Sequence, residues 1–192
     1  MLEINIFFVI SLLLFFTGFI SGILAGLFGI GGGIIIVPVI YHLFNFLDFS
    51  ENISMHMAIG TSLATIILAS LNSVIEHKKR SCVDISLLDK WKYTILFGSL
   101  IGAILAQLIE GKVLIIFFAF FSFFIGLRMF FTKPYSIKTY NFLKSIQKII
   151  SFLISTFSSL LAIGAGTLNV PFLLSCGRNM KTAVGTSSGI GF

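Results

Sequence analysis

Gly29, Gly31, Gly32 and Gly33 stand together in the middle of a segment that is otherwise apolar from Ile4 to Phe46, and Pro38 follows on the same stretch. A segment of this length and composition belongs in hydrocarbon. There, no water is present to satisfy an interrupted backbone, so a break survives only where protein encloses it or where it lines a watery cavity. The cluster therefore points to a working site.

The environment follows from composition. Hydrophobic residues make up 57% of the 192 residues and charged residues 10%, against about 25% charged in soluble domains. The chain reads as an all-α, multi-pass protein integral to a membrane, with the lipid bilayer as its first partner. Its formal charge of +6 does not point to nucleic acid. The basic residues lie in short loops beside apolar runs, where the positive-inside rule accounts for them, and no basic face with interleaved aromatics is present. Cys82 and Cys176 have neither zinc-ligand nor redox spacing and read as unpaired small residues. The glycines fit neither a dinucleotide fingerprint nor a P-loop. No paired carboxylates, metal cluster or activated nucleophile lies within the apolar runs, so neither catalysis nor a cofactor is expected.

Ile4 to Leu27 is a nearly unbroken apolar run, about 36 Å long as a helix and able to cross a core of about 30 Å. Glu3 without any leading Lys or Arg, and the length of the run, argue against a signal peptide. Gly18, Gly22 and Gly26 recur every four residues, a pattern that lets a second helix approach closely. Ile34 to Phe46 is too short to span and reads as a half-helix or re-entrant arm. The loop of residues 47–55 carries Asp48 and Glu51 but no Lys or Arg and is expected outside. His42 and His56 flank it as solvated side chains. A span from His56 to Ile75 leads into the basic stretch Glu76 to Lys92, which the same rule places in the cytoplasm. Tyr93 to Ile109 returns outward with Gly98, Gly102 and Ala106 in register. Val113 to Phe131 comes back in, with Arg128 snorkelling at its inner end.

The remainder repeats the opening. Gly164-Ala165-Gly166-Thr167-Leu168-Asn169-Val170-Pro171 aligns without a gap on Gly31-Gly32-Gly33-Ile34-Ile35-Ile36-Val37-Pro38, and Ala183-Val184-Gly185-Thr186-Ser187 matches Ala58-Ile59-Gly60-Thr61-Ser62. Corresponding glycine- and proline-interrupted segments are the sequence pointer to a transporter with its site at the repeat interface. Residues 1–131 are read as a first membrane repeat, 132–148 as a basic cytoplasmic loop and 149–192 as a second, incomplete repeat. If each interrupted segment is a hairpin, charge makes the copies inverted; if each is a single broken helix, they are parallel.

Gly26-Leu27-Phe28-Gly29-Ile30-Gly31-Gly32-Gly33, Val37-Pro38, Ala58-Ile59-Gly60-Thr61-Ser62 and the downstream His77-Lys78-Lys79-Arg80 with Val83-Asp84 together resemble the TauE/SafE sulfite exporter family, the four-toluene sulfonate uptake permeases. The resemblance spans essentially the whole chain. It implies a permease in a bacterial-type inner membrane that moves sulfite, an organosulfonate or a related sulfur-containing anion, and leaves homo-oligomers open. Two features depart from the family pattern: Ala165 replaces the middle glycine of the second triplet, and the chain stops at Phe192 inside an apolar span, where the family continues. That stop implies a C-terminally truncated member, with a passive anion channel or a non-transporting product as the alternatives to alternating access.

The residues themselves give the binding chemistry. Glycines let consecutive N–H groups face one point, and helix N-termini carry partial positive charge, so an anion can be held without a buried Lys or Arg. Such a site suits a small oxyanion or sulfonate. Its expected residues are Gly29, Gly31, Gly32, Gly33, Pro38, Gly60, Thr61 and Ser62 from the first copy. The second copy adds Gly164, Gly166, Thr167, Asn169, Pro171, Gly185, Thr186 and Ser187, and Thr167 and Asn169 supply polar groups that the first copy lacks.

Overall fold

The computed structural model describes residues 2–28, 32–131 and 140–191, and among them every regular element is a helix. Gly29 and Gly31, and residues 132–139 of the basic loop, lie outside the described residues, as does the side chain of Arg128. The helices are α1 (Leu2–Phe28), α2 (Gly33–Phe46), α3 (Glu51–Lys79), α4 (Ile85–Leu108), α5 (Gly111–Phe131), α6 (Tyr140–Leu161), α7 (Ala165–Ser175) and α8 (Met180–Ile190). Phe7–Gly26, Glu51–Lys79 and Ile85–Leu108 are long and apolar enough to cross a membrane.

Both α3 and α4 outrun their apolar stretches. α3 begins at Glu51 because the Ser50 hydroxyl accepts from the Ile53 N–H and Glu51 stands in the first turn, and it runs on through His77, Lys78 and Lys79 in its last turn. Opposite charges at the two ends match the helix dipole, which extends the helix beyond its apolar core. α4 starts at Ile85 on an Asp84 cap, whose Oδ1 accepts from the Leu87 N–H at 3.1 Å. The stretch read as a basic loop from Glu76 to Lys92 is therefore mostly helix, with only residues 80–84 turning. α6 likewise takes in Tyr140 to Lys148.

Four helix ends close in the same way. Asp48 (φ 61°), Ser81 (φ 53°), Ala162 (φ 50°) and Gly177 (φ 79°) each adopt the left-handed conformation just past a helix. At each, paired hydrogen bonds return to the last turn: Asp48 N–H to Asn45 O with Phe49 N–H to Phe44 O, and Ala162 N–H to Ser159 O with Ile163 N–H to Ser158 O, for example. This is the Schellman closure, completed after α2 by an edge-on contact of Phe44 with Phe49 at 5.4 Å. It retires orphan carbonyls where lipid offers no donor.

The two half-helices are built alike. α2 contains Pro38, α7 contains Pro171, and each is followed by a four-residue connection to an N-capped helix, with Ser50 capping α3 and Asn179 accepting from Thr182 N–H at 2.8 Å to cap α8. α2 continues for eight residues beyond Pro38, whereas α7 continues for four beyond Pro171. α3 reaches Ala58 one turn later than α8 reaches Ala183. The second hairpin is thus one helical turn shorter on each arm. At about 21 Å and 16 Å, α2 and α7 each cover only part of a bilayer core of about 30 Å.

Packing follows the glycine pattern on α4. A side chain at Gly98 would meet Ser155 and the Phe152 carbonyl, and one at Gly102 would meet the Thr156 carbonyl, so α4 and α6 lie backbone to backbone. The Ser159 hydroxyl donates to Ser99 O at 2.9 Å across that seam. The matching stripe on α1 behaves otherwise. Gly18, Gly22 and Gly26 have no neighbour within 4 Å among the described residues, and Gly22 and Gly26 border a cavity instead. Trp91 of α4 stacks on Phe172 of α7 at 5.6 Å and anchors a second apolar cluster with Leu173, Cys176 and Ala183. Cys82 and Cys176 are unpaired.

Replacing Gly102 with valine should destabilise the protein by at least about 1–3 kcal/mol through overpacking, while Gly18→Ala should stay within about 1 kcal/mol of wild type. Thermal unfolding of both variants in detergent measures the contrast, and equal melting temperatures would refute the packing assignment.

Candidate functional site

The two breaks meet. Gly33, the first residue of α2, lies against the carbonyl of Ala162, and an added Cβ there would collide with it. The same carbonyl accepts the Ser62 hydroxyl of α3 at 3.0 Å. α7 begins three residues beyond Ala162, with Gly164 (φ 90°) as its N-cap, so the N-termini of both half-helices converge at mid-height of α3. From that junction the half-helices run to opposite ends of α3. α2 leads to its capped start, where Asn52 Oδ1 accepts the N–H of Gly111. α7 leads to the turn that follows its other end, where Arg178 pairs with Asp84. These pairings bring Cys82, Asp84 and Arg178 together at one end and Asn52 with Gly111 at the other.

The chain doubles back at the first break. The Ser21 hydroxyl donates to Gly32 O at 3.0 Å across eleven sequence positions, which a continuous helix would separate by about 16 Å. Pro38 and Pro171 each remove the N–H that would bond the carbonyl four residues earlier, of Ile34 and Thr167.

Two cavities adjoin the junction and share Ile66, Gly164 and Gly191 in their walls. The smaller, about 170 Å³, is lined by Gly32, Gly164, Gly166 and Ser187, with Ser70, Ser73 and His77 of α3 and Gly22, Ala25 and Gly26 of α1. It joins residues of both interrupted segments around one space. The larger, about 770 Å³, has apolar walls from α3 and α4, with Asn169, Ser155, Ser158 and Ser159 among its polar lining and Lys92 at its edge. That volume falls within the range of about 300–1,000 Å³ typical of small-molecule pockets.

The expected site residues sort by what their polar atoms do. Ser62 is engaged with Ala162, Thr167 donates to Gly164 O at 2.8 Å, and Thr186 Oγ1 accepts the Asp84 N–H at 3.0 Å. Gly185 admits the Cys82 carbonyl against its backbone. Thr61 is exposed and donates to Met57 O at 2.7 Å, and Gly60 has no neighbour within 4 Å. Asn169 and Ser187 differ from all of these. Both are fully buried, and neither finds a hydrogen-bond partner among the described residues. A buried polar group left unpaired costs about 1–3 kcal/mol, so Asn169 and Ser187 are the two of these residues whose polar atoms the fold leaves unsatisfied.

Ser155 shares this condition and was not singled out by sequence. It belongs to a ladder of Ser151, Ser155, Ser158 and Ser159, all buried on one face of α6, while Ile149 and Leu153 face outward. The spacing of four, three and one was the available signal, hidden inside what read as a plain apolar run.

Asp84 ties the shorter hairpin to the α3–α4 turn. Burial alone would push its ionisation up, but the Ser86 hydroxyl, the Leu87 N–H and the Arg178 guanidinium outweigh burial and hold it below its ordinary value of 3.8. A carboxylate depressed by folding stabilises the protein fully above its unfolded value, and that contribution disappears as pH falls through the lower folded value.

Apolar helices exposed outward, serines and an asparagine turned inward and two part-length helices meeting at their N-termini define an all-α integral membrane protein organised around an interior polar junction. The chain belongs to the sulfite exporter TauE/SafE family, whose model matches residues 14–192. It is 31% identical to a probable membrane transporter protein of Haemophilus influenzae, covering 94% of this chain and 69% of that protein. It is 30% identical to the probable membrane transporter protein YunE of Bacillus subtilis over 82% of this chain and 64% of the relative. A probable membrane transporter protein of Methanocaldococcus jannaschii is 29% identical, with 93% and 67% covered. This chain thus spans about two thirds of the length of these relatives and is a member of a membrane transporter family. No solved structure matches it.

Asp84→Asn should lower the melting temperature in detergent at neutral pH, and its deficit relative to wild type should shrink as the pH is taken below 3.8. A constant deficit across that range would rule out the Asp84 charge as its source.

Proposed function

We propose that this chain forms part of a permease for small sulfur-containing anions, sulfite or an organosulfonate, that works by alternating access around the α1–α2 and α6–α7 breaks in a bacterial-type inner membrane. The observation that carries the reading is the convergence of two helix N-termini beside a cavity lined by Gly32, Gly164, Gly166 and the unpartnered Ser187. Each N-terminus presents free N–H groups and about half a positive charge, so an anion is attracted without a buried cation.

The same geometry supports an inverted repeat. The half-helices leave the junction toward opposite ends of α3, the arrangement that lets one unit rock against the other about a fixed site. Ser62, Thr167 and Thr186 support this site by holding backbone groups of the junction and of the α3–α4 turn, and Asn169 extends it into the larger cavity. The sulfur-containing substrate comes from the family; the anionic charge comes from the junction itself.

Proteoliposomes carrying the full-length protein should take up sulfite or a sulfonate down an imposed gradient with saturable kinetics. Gly32→Leu, which drives a side chain into Ser21, should abolish the flux. Ser187→Ala should lower it several-fold, the effect of one lost hydrogen bond of about 1 kcal/mol. Flux unaltered by Gly32→Leu would reject this location for the site.

A further inference from the structure

We infer that the Asn169 end of the site selects anions that also carry a hydrogen-bond donor: a singly protonated oxyanion such as hydrogen sulfite, or a sulfonate bearing a hydroxyl or amine. The inference rests on the anion-permease reading above and concerns the same site.

Asn169 is 0% exposed and lines the larger cavity, and both its Nδ2 and its Oδ1 lack partners among the described residues. Ser155, 5% exposed, lines the same cavity with its Oγ equally unengaged. A carboxamide donates from one side and accepts on the other, and turning it over exchanges the two without removing either. A fully deprotonated oxyanion or a plain alkyl sulfonate offers acceptors only. It can take the Nδ2 protons and the Ser155 hydroxyl, but it leaves Oδ1 buried and unpaired or sets a negative oxygen against it. An anion with its own O–H or N–H beside an acceptor satisfies both sides of the amide at once.

Charge points the same way. Lys92 and Tyr93 of α4 are the titratable groups among the lining residues, and α3, α6, α7 and α8 contribute none. Lys92 Nζ is already paired with Asp89 at 2.7 Å. The remaining positive potential is that of the α7 N-terminus at Gly164, about half a charge, which suits a monoanion better than a dianion.

The test is calorimetric binding to the purified full-length protein, with hydroxymethanesulfonate and its isostere ethanesulfonate as probes, and with sulfite on both sides of its second ionisation. Hydroxymethanesulfonate should bind about tenfold more tightly than ethanesulfonate, the factor expected from one satisfied buried hydrogen bond. Sulfite affinity should fall as the ion loses its proton. Asn169→Leu should erase both preferences, while Ser155→Ala should weaken the two sulfonates alike. Equal affinities in the wild type, or a preference that survives Asn169→Leu, would overturn the donor requirement and leave the anion reading in place. Failure of every anion to bind would overturn both. If Asn169→Leu does not fold, the wild-type comparison of the two isosteres decides.

Discussion

The carbonyl of Ala162 holds this structure together at its weakest place. It ends α6, receives the Ser62 hydroxyl from α3 and lies against the bare backbone of Gly33. A chain that interrupts two helices within a hydrocarbon layer must find partners for the released backbone groups inside the protein. Here the two interruptions are placed against one another, and one serine on a long continuous helix serves the join. Gly33 is required because any side chain would hold α2 away from α6, and Ala162 turns left-handed so that the last carbonyls of α6 are closed before the chain enters α7.

The rest of the molecule is arranged around that join with the polarity of a soluble protein reversed. Phenylalanines and leucines of α1, α4 and α5 face outward, and serines of α3 and α6 face inward with Asn169. Burying apolar surface cannot drive the assembly when the surrounding lipid is equally apolar, so close backbone approach and interhelical hydrogen bonds take that role. The α4–α6 seam, with Gly98 and Gly102 against α6 carbonyls and Ser159 bonded to Ser99, shows both.

Much of this was legible in the amino-acid sequence, because glycine and proline are positional signals. The break before α2 and the break before α7 lie where Gly33 and Gly164 announce them. Helix ends were less legible. Ser50 and Asp84 cap helices that begin outside the apolar stretches, so hydropathy alone stops short of them. Facing was legible least of all. Thr61 and Ser62 are adjacent in one motif, yet Ser62 is buried against Ala162 while Thr61 is exposed and bonded to its own helix. A step of one residue turns a helix by about 100°, and only the packing of α3 on its neighbours decides which of the two points inward. The α6 serines were missed for the related reason that single serines in an apolar helix carry little weight until their common face is seen.

The unequal hairpins differ in reach. Because α7 ends a turn sooner after its proline than α2 does, the helical arm from the junction toward Arg178 is about 16 Å long and the arm toward residues 47–50 about 21 Å. The two arms that leave the junction are therefore of unequal length. The shorter arm closes on the Arg178–Asp84 ion pair, and the longer one ends in the turn that carries Asp48 and leads to Glu51.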